Sequence, residues 1–369
     1  MKKIGIAIIG WGFMGRTHTY ALRALPLMYE KAPFRPVLKC LCTRNSEALN
    51  SAAEDMGFER RTTDWHDILS MDDVDVVSIC TPNGAHEEMI AAFLKAGKHL
   101  YIDKPLTVNA ESADRLLKLS QSSASLTRMV MNNRFLPATL KAAEICSNKL
   151  LGSITGFSAR YLHSGSIDPN KLMGWKQGLE GGVLLDLGSH ILDLVTLLCG
   201  YPKELVCAFN TLYPTRITKT GETETRISED QAVLMLRMPG GALGTVEASK
   251  VAYGTQDELT FEIYGTSGAI KFNLMEPGVL WFNGKNGFQR LDIHGTYPPP
   301  GGSFFPSKNA IGWERGHIHC YYTFLDEVYR GIQGTPSLAD GAKLQRLMGA
   351  ALTSVKEGRW VEFNKYPPA

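Results

Sequence analysis

Three residues of this 369-residue chain have types and spacings that could move protons. Asp186 and His190 are four apart, so on a helix they share one face, with Asp193 near the same side. A carboxylate and an imidazole emerging together after Gly181-Gly182 can act as a proton-transfer pair, because imidazole titrates near neutral pH and the carboxylate can orient it. The same pair also describes a core histidine held by its neighbour, since ion-pair networks imitate sites. The residues alone leave these two readings level. Lys104 follows the apolar run His99–Asp103. Its ammonium could hydrogen-bond a reacting oxygen and stabilise developing alkoxide charge. Partial desolvation would bring its pKa toward the working pH. The alternative is a surface lysine with its head in water.

A second chemistry is written in Gly10-Trp11-Gly12-Phe13-Met14-Gly15, which sits between an apolar run and an amphipathic one. In a strand–turn–helix context, the first glycine permits the tight turn, the second admits a pyrophosphate, and the third lets helix and strand pack closely. The helix N-terminus then offers free N–H groups and partial positive charge. An acidic residue at the end of the second strand would bind the ribose 2′-hydroxyl of NAD. Here that place holds Cys42-Thr43-Arg44. Thr43 could bond a hydroxyl or a phosphate, and Arg44 could pair with a 2′-phosphate or stack on adenine, which tilts the expectation for NAD(P)(H) toward NADP. Thr81-Pro82 fixes a turn after Val74–Cys80, so Asn83 and His86 are expected on the nicotinamide side, with Asn83 also a helix cap.

The elements that must position these groups come in two rhythms. Up to about residue 131, strand candidates (Lys3–Gly10, Val37–Cys42, Val74–Cys80, His99–Asp103, Thr127–Met131) alternate with helix candidates (Gly15–Leu27, Ser46–Met56, Ala85–Ala96, Ala110–Ser122). Ser46 is a predicted N-cap and Gly97 a helix stop. That alternation predicts a doubly wound, parallel α/β domain over residues 1–131. From 132 to 369 the pattern predicts an α+β domain. Helices Pro137–Ser147, Leu184–Leu198, Glu314–Arg330 and Asp340–Glu357 back a large, mostly antiparallel open sheet built from Ser153–His163, Glu204–Leu212, Asp230–Arg237, Gly244–Val251, Glu258–Tyr264 and Ala269–Asn273.

Composition excludes several classes. Hydrophobic residues make up 44% and charged residues 21%, which is ordinary for a globular chain. A net charge of +2 with no long run of one sign argues against a broad nucleic-acid or acidic-membrane surface. No segment approaches the roughly 18 apolar residues of a membrane span. The apolar run after Lys2-Lys3 ends in a glycine turn, so it reads as a strand and not a signal peptide. Seven cysteines, with no pair spaced for zinc, predict free thiols in a reducing cytoplasm and no metal.

Four features in order then carry a resemblance: the opening glycine turn, Thr81-Pro82-Asn83-x-x-His86, Asp103-Lys104-Pro105, and Gly181-Gly182-x-Leu-Leu-Asp186-x-Gly-x-His190-x-x-Asp193. Together they resemble the glucose–fructose oxidoreductase, inositol dehydrogenase and rhizopine catabolism family, Gfo/Idh/MocA, over essentially the whole chain. The family usually has Glu-Lys-Pro where this chain has Asp103-Lys104-Pro105, a shorter acid beside the same lysine. The resemblance implies a catalytic triad of Lys104, Asp186 and His190, with His190 as base or proton relay, Lys104 orienting the hydroxyl, and Asp186 holding the substrate and tuning Lys104. It implies an NAD(P)-dependent dehydrogenase or reductase acting on CH–OH groups of a sugar, polyol or glycoside. Asp103 joins the cofactor set, and Arg160, Trp175 and His317 are candidate substrate contacts. One alternative is a redox-neutral enzyme that retains its cofactor and cleaves glycosides. Another is a dinucleotide-binding regulator, against which the retained triad counts. A second domain with one uncovered sheet face predicts a homodimer or homotetramer.

Overall fold

The computed structural model describes residues 1–172, 181–218, 220–226, 228–285, 287–294, 297, 305–306 and 308–363. The chain forms two compact units.

In the first unit, β1 (Lys2–Ile9), α1 (Phe13–Met28), β2 (Phe34–Cys42), α2 (Ser46–Asp55), β3 (Arg60–Thr62), β4 (Val76–Ile79), α3 (His86–Lys95), β5 (His99–Ile102), α4 (Ala110–Gln121) and β6 (Thr127–Met129) alternate. The strands lie in the order β3-β2-β1-β4-β5-β6, every pair parallel. Ile4, Ile6 and Ile8 of β1 and Val76, Val77 and Ile79 of β4 are all buried, as in a sheet covered on both faces. Strand order reverses between β1 and β4, so the turns after them, at Gly10 and Thr81, flank the crevice where such sheets take ligands. Two local features depart from the sequence reading. Asn45, not Ser46, caps α2, its Oδ1 accepting the Glu47 N–H at 3.1 Å. The three-residue strand β3 and a short helical turn at Trp65–Ser70 were too brief to show a period.

The second unit holds α5 (Pro137–Ser147), β7 (Ile154–Leu162), a π-helical turn at Leu184–Gly188 running into α6 (Ser189–Cys199), β8 (Glu204–Asn210), a hairpin of β9 (Thr215–Ile217) and β10 (Thr223–Thr225), β11 (Gln231–Arg237), β12 (Leu243–Ser249), β13 (Glu258–Gly265), β14 (Ala269–Asn273), β15 (Val279–Gly284) and β16 (Gly287–Asp292). After α7 (Glu314–Arg330) and α8 (Leu338–Glu357), β17 (Val361–Glu362) completes a nine-stranded sheet ordered β16-β15-β14-β13-β7-β12-β11-β8-β17. The sheet is antiparallel except for the parallel pair β7–β12. Period-2 alternation divides it: in β11, Ala232, Leu234 and Leu236 are buried while Val233 and Met235 are exposed.

A single boundary after residue 131 does not describe this division, because residues 295–343 belong to the first unit. The cause is burial on α7. Tyr321 stacks on Tyr101 of β5 at 3.7 Å and donates to Ser78 Oγ of β4 at 2.9 Å. Arg128 of β6, fully buried, pairs with Glu327 and donates to the Thr335 carbonyl.

Candidate active site

At the end of β1, Gly10 has φ +100°, and a Cβ there would lie 2.5 Å from the Cys80 carbonyl oxygen. A Cβ on Gly15 would lie 2.0 Å from the Gly10 oxygen. Gly12 differs, because a Cβ on it would meet nothing within 4 Å. Gly12 is also the N-cap of α1, with no side-chain cap and no acidic residue in the first turn. The backbone N–H groups at Phe13, Met14 and Gly15 therefore open this helix without a competing side-chain acceptor, a donor set that fits a pyrophosphate. Phe13 is exposed and stacks on Trp313 at 5.9 Å. Thr43 is half-buried at the end of β2, and its N–H donates to the Thr62 carbonyl at 3.2 Å. Arg44 is exposed beside it, and the segment Cys42-Thr43-Arg44 carries no carboxylate of its own, while Asp64 and Asp67 come close enough to act on Cys42.

The turns after β4 and β5 are joined through His86. Its Nε2 lies 3.0 Å from the Thr81 carbonyl, and its Nδ1 lies 3.1 Å from that of Pro105 and 3.2 Å from that of Leu106. Burial pulls the ring's pKa down, while the Asp103 charge and the carbonyls pull the other way. Asp103, itself buried, accepts the Lys104 N–H through Oδ1 at 2.9 Å. Lys104 is thus held from both sides: a short carboxylate closes onto its own N–H, and an imidazole braces the residues that follow. Asn83 is buried at the start of a helical turn. His86 is accordingly a brace for this turn, a role that its place in the helix's first turn did not reveal.

In the second unit, Gly182 has φ +104°, and a Cβ there would lie 2.6 Å from the Glu229 carboxylate. That carboxylate accepts the Leu184 N–H at 2.7 Å, and the Glu229 carbonyl accepts the Val183 N–H at 3.2 Å. Burial raises the Glu229 pKa, opposed by the Leu184 bond and the Lys250 charge. Glu229 thereby starts the helical segment that carries Asp186 and His190. From Gly182 to Thr196, Asp186 and His190 are the two residues that are not buried. Every neighbour packs inward, so these two polar groups are what this segment presents. Asp193 is buried instead of standing beside them. Tyr161 of β7 meets the His190 ring edge-on at 5.9 Å. Its hydroxyl pKa is pushed well up, first by burial and then by Asp257 and Asp186. His163 is pulled down by burial, with Lys250 adding to the effect. Lys250 Nζ lies 2.9 Å from Asp186 Oδ2.

Sequence reasoning missed Lys250 and Glu229. A lysine inside the run Thr245–Val251 was the available signal, since buried lysines need a carboxylate. Two substrate-contact expectations are corrected. Arg160 is exposed on β7 next to the buried Tyr161, so strand alternation puts it on the sheet face opposite His190, acting on Glu262. His317 is 1% exposed on the inward side of α7, against Trp313 at 4.5 Å and His18 at 5.9 Å, because helical period sets it with Tyr321, Phe324 and Leu325. Neither of its ring nitrogens has a hydrogen-bond partner among the described residues, and burial pulls its pKa down to about 3. Trp175 lies outside the described residues. Among those residues, no helix is long and apolar enough to cross a membrane.

Known proteins resemble this chain over almost its whole length. Residues 4–130 match an oxidoreductase family described as having an NAD-binding Rossmann fold, and residues 139–271 match the C-terminal domain of the same family. Levoglucosan dehydrogenase from Pseudarthrobacter phenanthrenivorans is 29% identical, with 98% of each chain covered. Myo-inositol 2-dehydrogenase from Thermotoga maritima is 28% identical, again covering 98% of each. A solved levoglucosan dehydrogenase in complex with NADH and levoglucosan superposes with a TM-score of 0.94 at 30% identity, covering 98% of this chain and all of that one. The motifs that resembled Gfo/Idh/MocA are therefore matched by both domains and by a neighbour spanning the whole chain, and the protein belongs to the Gfo/Idh/MocA oxidoreductase family.

Proposed function

We propose that this oxidoreductase transfers a hydride between a nicotinamide dinucleotide and a hydroxyl-bearing carbon of a sugar or polyol. The observation that carries the reading is the pairing of Asp186 and His190 as the two partly exposed residues of an otherwise buried helical segment. The dehydrogenases for levoglucosan and myo-inositol support the substrate class. When bound, the dinucleotide supplies the hydride acceptor or donor. The uncapped α1 N-terminus at Phe13, Met14 and Gly15 would hold its pyrophosphate. His190 takes or returns the hydroxyl proton. Lys104 donates to the reacting oxygen and stabilises the alkoxide. Asp186 accepts from substrate hydroxyls. Thr43 and Arg44, standing where a carboxylate would select NAD, favour NADP by offering a 2′-phosphate a hydroxyl and a guanidinium. Seven free cysteines, all buried or half-buried, suit a reducing cytoplasm. Val233, Met235, Leu243, Tyr264, Trp281 and Phe288 are exposed on sheet strands, an apolar surface suited to pairing copies into a dimer or tetramer.

The test is a titration with NAD and NADP followed by a spectrophotometric screen of anhydrosugars, aldoses and inositols. Accumulating NAD(P)H with one of these supports the reading. Product without accumulation favours the redox-neutral alternative, and no affinity for either dinucleotide overturns both.

A further inference from the structure

Lys250 has no assigned part in the chemistry, yet its placement is specific. Val246 and Ala248 of β12 are buried, and Lys250 continues their two-residue register. Its backbone is fixed at both ends: its N–H donates to the Asp230 carbonyl at 2.9 Å, and its carbonyl accepts the Ser166 N–H at 2.8 Å. Asp230 is anchored in turn by Arg226, through bonds of 2.7 and 2.8 Å. The side chain reaches Asp186 at 2.9 Å with exposures of 7% for the lysine and 14% for the aspartate. A buried ion pair often does no better for stability than apolar residues of the same volume, so folding alone does not account for a lysine here.

We propose that Lys250 is a positioning residue of the hydride-transfer reaction, keeping Asp186 ionised and its carboxylate turned so that it can accept a substrate hydroxyl one helical turn from His190. The inference rests on the function proposed above. The groups around the Asp186–Lys250 pair show why Asp186 needs a cation. Asp186 acts on Tyr161 of β7 and on His163 at its end, and Asp257, from before β13, acts on the same two; Glu229, from the segment before β11, interacts with Lys250; His190 lies on α6, and Lys171 acts on His163. Two of these, Glu229 and Asp257, are carboxylates. Lys250 acts on Glu229 and on His163 as well as on Asp186, lowering the pKa of each of the first two. Without it, Asp186 would share a poorly solvated site with other acids, and its proton would be held more tightly.

The experiment uses the full-length protein labelled with [13C]aspartate. The Asp186 carboxyl signal is assigned by its loss in Asp186→Asn and titrated in wild type, Lys250→Met and Lys250→Arg. The pH profile of kcat/KM is recorded on the same three with the best sugar from the screen. Removing the charge should raise the Asp186 midpoint by about 1–3 pH units, and the acid limb of kcat/KM should rise with it. Lys250→Arg should bring both back toward wild type. Should Lys250→Met fail to fold, Lys250→Gln, which keeps an N–H donor, is read the same way. An unmoved midpoint overturns the proposal, and so does a midpoint that moves while the rate profile stays. If wild type turns over no sugar, the functional reading fails on that ground, and the carboxyl titration still decides whether Lys250 controls Asp186.

Discussion

Two lysines are placed to serve the proposed reaction in different ways. Lys104 sits at the carboxyl edge of a parallel sheet, held by Asp103 at its backbone and by the His86 brace beyond it. Lys250 sits against Asp186. The first should act on the reacting oxygen directly. Lys104→Ala is therefore expected to lower kcat/KM by roughly 100- to 1,000-fold, the scale of one lost electrostatic donor, while NADH affinity by fluorescence titration changes little. Turnover at the native rate would end the assignment. Arg44→Ala should raise KM for NADP while leaving KM for NAD nearly unchanged, checked by initial rates with each cofactor.

Helix starts decide where the chemistry is presented. The glycines that open α1 make a sharp contrast, because a Cβ on Gly12 finds open space while one on Gly15 lands on the Gly10 carbonyl. Gly12→Val should leave the melting temperature close to wild type and abolish dinucleotide binding. Gly15→Ala should destabilise the fold by about 1–3 kcal/mol through overpacking. Urea unfolding and cofactor titration on both variants separate the two effects. Reversed outcomes would show that Gly12 serves packing and not the ligand. At the other helix start, Glu229→Ala leaves the Leu184 N–H without its 2.7 Å acceptor in a buried setting, a cost of about 1–3 kcal/mol. The same variant should loosen Asp186 and His190, so activity should fall before the protein unfolds.

At the scale of the molecule, buried histidines set the acid limit. His18, His317 and His319 are held below the ordinary imidazole pKa by burial, the latter two at about 3. As pH falls below the ordinary 6.5, the unfolded chain takes up protons that the folded chain refuses. Stability from these groups is thus complete above about pH 6.5 and declines on the way to 3, by about 2 kcal/mol for each of His317 and His319 between pH 7 and 5. His317 gives a clean check, because neither ring nitrogen has a partner among the described residues. His317→Phe should flatten the slope of unfolding free energy between pH 7 and 5, and an unaltered slope would show that His317 titrates freely. The exposed sheet face makes a second prediction at this scale: Met235→Glu should shift the protein to a smaller species in size-exclusion chromatography while leaving cofactor binding intact.

The sequence alone determined the parallel first sheet, the glycine turn after its first strand and the helical segment bearing Asp186 and His190. Long apolar runs, glycine spacing and four-residue periodicity are local signals, and β1, α1, α5 and α7 fall within a few residues of where those signals place them. Tertiary structure alone decided what depended on partners far along the chain. Asn45 displaced Ser46 as a cap, α7 joined the first unit through Tyr101, Ser78 and Arg128, and Arg160 and His317 turned away from the positions that residue type suggested. Lys250 belongs with these, because a lysine announces a charge while only the fold reveals which carboxylate, 64 residues upstream, it was placed to meet.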